Sequence, residues 1–433
     1  MPALAVASAL LAACSGTEAA GSTSGGPAAG STTASTAATT TAPTVSTEEQ
    51  ITPPATEPAP TVAEVELPLP APDGDAFYAP PDPIPGTKPG DLIWARPIDS
   101  APAGSRGWQV LYRSESLAGE AIGVSGVVFV PSAPLSSELP VLSWAHGTTG
   151  LGDACAPSSE YAVGGSSEAM LAQTVTTLGW AFVATDYEGL GTSGVHPYLV
   201  GQSEGRGVLD IVRAAQQLQG ASVATSSPVA IFGHSQGGHA ALMAGELAAS
   251  YAPELNVVGT VAGAPPGDIG LIESATAAAG DFLTGGFSLM IDAGYLAAYP
   301  DLPVEAVVAA GGRDALDAVG DTCTGEAFEL AASVPGTQLD GTKNPDWADA
   351  YAVNSPGHVA PSAPVLIIHG DADQVVPQVL SKLILDDYCA LGATVERTVY
   401  PGADHLTVIT LGLADVQLWI AQRLTGVPAG SSC

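Results

Sequence analysis

The chain has 433 residues, and its 44 Asp and Glu against 11 Lys and Arg give a formal charge of -33 at pH 7. That field opposes binding to nucleic acid or to an anionic membrane surface, and it suits a soluble extracellular surface or small neutral and apolar ligands. The length would allow two or three domains, but the first part of the chain lacks the composition of a folded core, so length overstates the domain count.

Residues 3 to 13, ALAVASALLAA, form an apolar run too short to span a bilayer but of the length of an export signal. It ends in Leu11-Ala12-Ala13-Cys14, followed by Ser15-Gly16. Small residues before a lone cysteine are the pattern of a bacterial lipoprotein signal, so residues 1–14 are read as such a signal, with Cys14 the acylated first residue of the mature chain. The usual basic segment is missing in front, which leaves an ordinary cleaved signal, or a start upstream of Met1, as alternatives. Residues 15–74 are dominated by Ser, Thr, Ala, Gly and Pro, cannot bury enough apolar area to order a backbone, and are expected to be a disordered linker.

The folded part is expected from near Asp75, with Pro-rich extended chain through Pro89. Gln109 to Ser116 and Ala121 to Pro131 read as an antiparallel hairpin around Gly119. Strands then alternate with helices: Val141 to Ala145, helix Ser167 to Leu178, strand Trp180 to Thr185, helix Glu204 to Leu218, strand Val229 to Gly233, a helix to Ala249, and strand Val257 to Ala262. The rhythm resumes with strand Pro364 to His369, a helix through Leu391, strand Thr394 to Tyr400 and helix Thr407 to Leu424. It predicts a mostly parallel sheet covered on both faces. Residues 75–266 and 362–433 are assigned to this catalytic domain. Between them the rhythm breaks, and residues 267–361 read as a helical cap over the carboxyl edge of the sheet, where open α/β folds bind ligands. Phe282, Phe287, Leu289 and Met290 are candidates to line a pocket beneath it, although packing is the commoner fate of large apolar residues.

Pro228 to Gly238 reads PVAIFGHSQGG, a buried strand running into Gly-His-Ser-Gln-Gly and then an Ala-, Leu- and Met-rich helix. In that context Ser235 sits on a strained strand-to-helix turn and is a candidate nucleophile. Gly233 and Gly237 omit side chains where strand and helix crowd the turn, and the helix N-terminus faces any charge developing beside the serine oxygen. A serine hydroxyl needs a base, and the base needs an orienting acid. Asp373, in the loop after strand Val365 to Ile368, is the candidate acid, with Asp371 as the alternate and loop bracing as its other role. His405, at the end of the next strand, is the candidate base and completes the order Ser, Asp, His. His146, His234, His239 and His369 are assigned structural or pocket-shaping roles. A tetrahedral intermediate also needs two backbone donors. Gln236 supplies one, and the loop Trp144-Ala145-His146-Gly147-Thr148-Thr149-Gly150 supplies the other, with Thr148 preferred over Thr149.

The block DYEGLGTSGVHPYLVGQSEGRGVLD, from Asp186 to Asp210, followed by GHSQGGHAAL, resembles the secretory lipase family typified by Candida antarctica lipase A. The resemblance extends over about Asp75 to Cys433. It implies an α/β-hydrolase fold with a cap inserted before the acid-bearing strand, action on carboxylic esters, often acylglycerols, and a Ser235, Asp373, His405 triad. It also suggests one disulfide from the early catalytic region to the cap and another near the C-terminus, which Cys155–Cys323 and Cys389–Cys433 fit. Without the family, four cysteines in an exported chain allow three pairings. No cofactor or metal is expected, since neither zinc spacing nor an Asp-rich calcium loop is present.

The leading expectation is a monomeric, exported or envelope-anchored serine ester hydrolase whose partner is a small-molecule or lipid ester. Acyl transfer to an alcohol by the same triad is the first alternative, and a non-catalytic envelope lipoprotein that only binds ligands is the second.

Overall fold

The computed structural model describes residues 66–279 and 282–433, with the side chains of residues 282 and 283 left aside. Cys14 and residues 15–65 of the expected linker lie outside the described residues. The last part of that expected linker is packed onto the fold: the Leu69 N–H donates to the Ile93 carbonyl at 2.7 Å, and Leu69 and Ala71 rest on the Phe77, Ile93, Trp94 and Leu111 cluster.

One nine-stranded sheet organises the chain, in the order β1-β2-β3-β5-β4-β6-β7-β8-β9. Strands β1 (Leu92–Ile98), β2 (Ser105–Glu115) and β3 (Ala121–Pro131) form an antiparallel meander. β3 then pairs antiparallel with β5 (Ala181–Thr185). From β5 onward the pairing is parallel, through β4 (Val141–Ala145), β6 (Pro228–His234), β7 (Asn256–Gly263), β8 (Val365–Gly370) and β9 (Val395–Tyr400). The hairpin and the parallel strands follow the sequence pattern, whereas β1 has no counterpart in it. β1 is an edge strand containing Pro97, and an edge tolerates a residue without an N–H.

β4, β5 and β8 are buried at every residue. Successive residues feed opposite cores: Val229 and Ile231 of β6 join one, and Ala230 and Phe232 the other. The first is closed by α3 (Gly201–Gln217) and α4 (Gln236–Tyr251), through residues such as Val208, Ile211, Ala241 and Ala244. The second is closed by α2 (Ala169–Thr177) and α11 (Thr407–Leu424), with Val175, Val416 and Trp419. The short α1 (Pro157–Val163) adds Tyr161 to the second core, and α10 (Val379–Ala390) covers β8 and β9 through Ile384 and Tyr388. Continuous apolar strands are thus the product of a sheet covered on both sides.

Between β7 and β8 lie α5 (Ile269–Ala279), α6 (Phe282–Ala298), α7 (Arg313–Val319), α8 (Thr324–Ser333) and α9 (Pro345–Val353). They carry their own apolar core, in which Leu289, Met290, Tyr295, Trp347 and Tyr351 meet Leu151, Tyr198, Leu199 and Val200 from loops of the sheet domain. A disulfide joins Cys155, after β4, to Cys323 at the start of α8, and another joins Cys389 of α10 to Cys433. The tail beside Cys433 also pairs with the sheet edge, where the Ser432 N–H donates to the Val395 carbonyl at 2.7 Å.

The core of this insertion holds two acids. Glu273 of α5 accepts a hydrogen bond from Ser288 of α6, and Asp292 lies one turn further along α6 on the same side; both are buried. Burial pushes the Glu273 carboxyl up to about 7, against the Ser288 hydroxyl and with the charge of Asp340 adding to the rise. Burial and the charge of Glu273 raise Asp292 well above the ordinary range, with Tyr351 opposing. Acids with raised folded-state pKa values stabilise the fold below their unfolded values and lose that contribution as pH rises through the folded ones. Asp292→Asn is therefore expected to raise the melting temperature at about pH 8 and to leave it unchanged at about pH 4, as followed by thermal unfolding at both pH values.

Candidate active site

β6 delivers Ser235 in a backbone conformation that turns ordinarily give to glycine, with φ 57° and ψ -124°. The Ser235 N–H donates to Gly263 O of the neighbouring strand at 2.9 Å, and the Ser235 carbonyl accepts from the His239 N–H at 3.1 Å, which starts α4. The turn closes only because its flanks lack side chains. A Cβ at Gly233 would lie 1.9 Å from Gly237 O, and one at Gly237 would lie 1.9 Å from Ala145 O.

The Ser235 hydroxyl is 2.9 Å from His405 Nε2, and His405 Nδ1 is 2.7 Å from Asp373 Oδ2. Asp373 Oδ1 accepts the Val375 and Val376 N–H groups, each at 2.9 Å. Burial raises the Asp373 carboxyl, but the hydrogen bonds from His369 and His405 outweigh it and hold the group well below the usual carboxylate range. His369 reaches Asp373 Oδ2 at 3.3 Å while its Nε2 is bonded to Val376 O at 2.8 Å. Asp371 instead braces the loop from its exposed side, accepting the Gly402 N–H at 2.6 Å.

The other histidines pack around this chain of contacts. Burial and the adjacent His405 push His234 down to about 4, so the neutral ring donates from Nε2 to the His405 carbonyl at 2.7 Å. Burial also pushes His146 down to about 4, and its Nδ1 lies 2.7 Å from Gly147 O, bracing the loop after β4. That loop passes beside the serine, since a Cβ at Gly147 would stand 3.8 Å from Ser235 Cβ. Next to it, Thr148 Oγ1 is 2.7 Å from Tyr198 OH. Among the described residues no backbone carbonyl accepts the Thr148 N–H. Gln236, as the first residue of α4, likewise has no intrahelical acceptor for its amide.

A narrow cleft opens at Ser235 and Gln236. Tyr198, Leu199, Ile272, Thr276, Phe287, Ile291, Val375 and Val376 are among its walls. Of the four apolar residues singled out in the insertion, Phe287 lines this cleft, Leu289 and Met290 are packed in the core, and the Phe282 side chain lies outside the described residues. The wall residues Tyr198, Leu199, Ile272 and Ile291 had no distinguishing sequence signal. Glu204, buried beneath Gln236, did have one: it is an acid on the same α3 face as Val208, Ile211 and Ala215. Among the described residues no group of three or more His, Cys, Asp or Glu side chains is arranged to hold a metal ion.

The crowding at the turn gives a direct check. Gly237→Ala should lower esterase turnover at least tenfold or prevent folding, because the new methyl meets the Ala145 carbonyl; kinetics and a melting curve on the purified variant read both outcomes.

A family model described as secretory lipase matches residues 158–432. Lipase A of Moesziomyces aphidis is 28% identical over 405 residues, covering 84% of this chain and 83% of that protein. A Mycobacterium tuberculosis protein named a "probable inactive lipase" is 27% identical over 381 residues, covering 82% of this chain and 83% of its own. The crystal structure of Candida antarctica lipase A superposes with a TM-score of 0.71 at 26% identity, over 83% of this chain and 87% of that one. A cell wall degrading esterase from Xanthomonas oryzae shares the fold at 20% identity, with a TM-score of 0.66 over 78% of this chain and 100% of that one. With a family match over well more than half its length and the α/β-hydrolase sheet in place, the chain belongs to the secretory lipase family.

Proposed function

We propose that the chain is an exported serine ester hydrolase acting on hydrophobic carboxylic esters, acylglycerols among them. The observation that carries this reading is the continuous contact from Ser235 Oγ through His405 to Asp373. In the first half-reaction Ser235 Oγ bonds to the ester carbonyl carbon while its proton passes to His405 Nε2. The tetrahedral oxyanion is held by the Gln236 and Thr148 amides. The carbon–oxygen bond to the leaving alcohol then breaks, and the alcohol takes the proton from His405. Water repeats the sequence on the acyl-enzyme and releases the acid. Asp373, held anionic, steadies the imidazolium that forms twice in each cycle.

The cleft beside Ser235 supplies the acyl site. Its walls are predominantly apolar, as a hydrocarbon chain requires, and helices of the insertion provide Ile272, Phe287 and Ile291. One relative bears the name of an inactive lipase, so family membership alone does not argue for turnover. The assembled serine, histidine and carboxylate favour catalysis over ligand binding alone. Two disulfides suit a chain that folds outside the reducing cytosol. Attachment through an acylated Cys14 belongs to the same proposal.

Hydrolysis of p-nitrophenyl butyrate by the wild type and by Ser235→Ala tests the reading. Turnover is expected to fall ~10⁴-fold or more in the variant; equal rates would overturn it. A p-nitrophenyl ester series from acetate to palmitate reads the cleft itself. Specificity should rise with acyl length at first, about fourfold per methylene buried at ~0.8 kcal/mol each, and then level off where the cleft is filled.

A further inference from the structure

Beneath the nucleophile, one carboxylate ties together parts of the molecule that the ester chemistry uses separately. Glu204 stands on the first turn of α3 and is fully buried. Its Oε1 accepts the Leu199 main-chain N–H at 2.9 Å and Gln236 Nε2 at 2.8 Å. Its Oε2 lies 2.8 Å from His239 Nδ1, and His239 Nε2 lies 2.6 Å from the Asn354 carbonyl, just beyond α9. The second hydrogen of Gln236 Nε2 is directed at His196 Nε2, 2.8 Å away, while His196 Nδ1 is bonded to Glu188 O at 2.8 Å. Turning the Gln236 amide over would aim its oxygen at the carboxylate, so the network selects the observed orientation.

Folding alone gives little reason for this arrangement. A buried carboxylate is costly unless several donors meet it, and a well-packed apolar side chain at the same place would commonly be as stable or more so. Position 204 lies in line with Val208, Ile211 and Ala215, where such a side chain would continue the apolar face. The donors that Glu204 collects are also not scattered. Gln236 follows the nucleophile. Leu199 lines the cleft with φ 56°, a conformation that a branched side chain adopts at a cost and that the bond to Glu204 helps to hold. Asn354 connects the end of the insertion to the same point, because its Oδ1 also accepts the Gly201 N–H at 2.9 Å.

The geometry points to Glu204 as a positioning residue for ester hydrolysis, fixing the Gln236 main-chain amide at the oxyanion through the Gln236 side chain and fixing the acyl-cleft wall through the Leu199 N–H. This rests on the serine hydrolase reading above. Glu204 does not touch the reacting atoms; it acts through the residues that do.

Three variants separate positioning from simple support of the fold. Gln236→Ala keeps the main-chain amide but cuts its tether. Glu204→Ala removes the hub. Glu204→Gln can keep each contact, since its oxygen accepts from Leu199 and Gln236 while its NH₂ donates to His239 Nδ1 and leaves His239 Nε2 to donate to the Asn354 carbonyl. Loss of an oxyanion donor costs ~100- to 1000-fold in kcat, so loosening one should cost about 10- to 100-fold.

With p-nitrophenyl butyrate, Gln236→Ala and Glu204→Ala are expected to lose that much kcat with KM within about twofold of wild type, a split that general destabilisation does not produce. Glu204→Gln should restore kcat to within about threefold of wild type. Wild-type kcat in Gln236→Ala, or a loss in Glu204→Gln as large as in Glu204→Ala, would overturn the inference. Should Glu204→Ala fail to fold, the other two variants decide it. Absence of Ser235-dependent turnover in the wild type is a separate result and would overturn the hydrolase reading itself.

Discussion

The whole site hangs on a steric constraint at one turn. Ser235 is held at positive φ between a buried strand and a buried helix, and the turn fits only because Gly233 and Gly237 lack the Cβ atoms that would come within 1.9 Å of the Gly237 and Ala145 carbonyls. The energy of that conformation is offset elsewhere, by β6 lying between β4 and β7 and by α4 packed against the sheet face. The hydroxyl is thereby presented at the carboxyl edge of the sheet. His405 and Asp373 arrive at the same edge because β8 and β9 run parallel to β6 and end at the same level.

The same edge explains the division of labour between the sheet domain and the insertion. The sheet supplies the proposed reacting groups from loops braced by short hydrogen bonds to the main chain, such as the two amides on Asp373 and the carbonyl of His405 on His234. The insertion supplies apolar wall. Two of its acids, Glu273 and Asp292, are nevertheless turned inward, where the charge of Glu273 adds to burial in raising the Asp292 carboxyl. The proposed reacting groups thus come from the sheet domain alone, whereas both parts wall the cleft, Tyr198, Leu199, Val375 and Val376 from one and Ile272, Phe287 and Ile291 from the other.

How much of this could be read from the chain depended on whether the cause was local. The strand before Ser235, the glycines around it and the loops bearing Asp373 and His405 are short-range patterns, and the parallel sheet followed from the regular alternation of apolar runs. β1 escaped because Pro97 interrupts its pattern and its pairing partner, not its own residues, makes it a strand. In α6, apolar residues run all round the helix, so nothing in FSLMID distinguishes Phe287, which faces the cleft, from Leu289 and Met290, which do not. Glu204 was read only as the start of a helix, and its partners Leu199, Gln236, His239 and Asn354 are brought together only by the packing of α3, α4 and the chain after α9.

The bond between Cys155 and Cys323 spans 168 residues of sequence and lies beside the contact of Gly150 with Cys323. It moors the insertion at one side, next to the loop that carries Thr148. The bond therefore fixes the register between the loop beside the serine and the insertion whose Ile272, Phe287 and Ile291 wall the cleft, so the two are tied covalently as well as by packing.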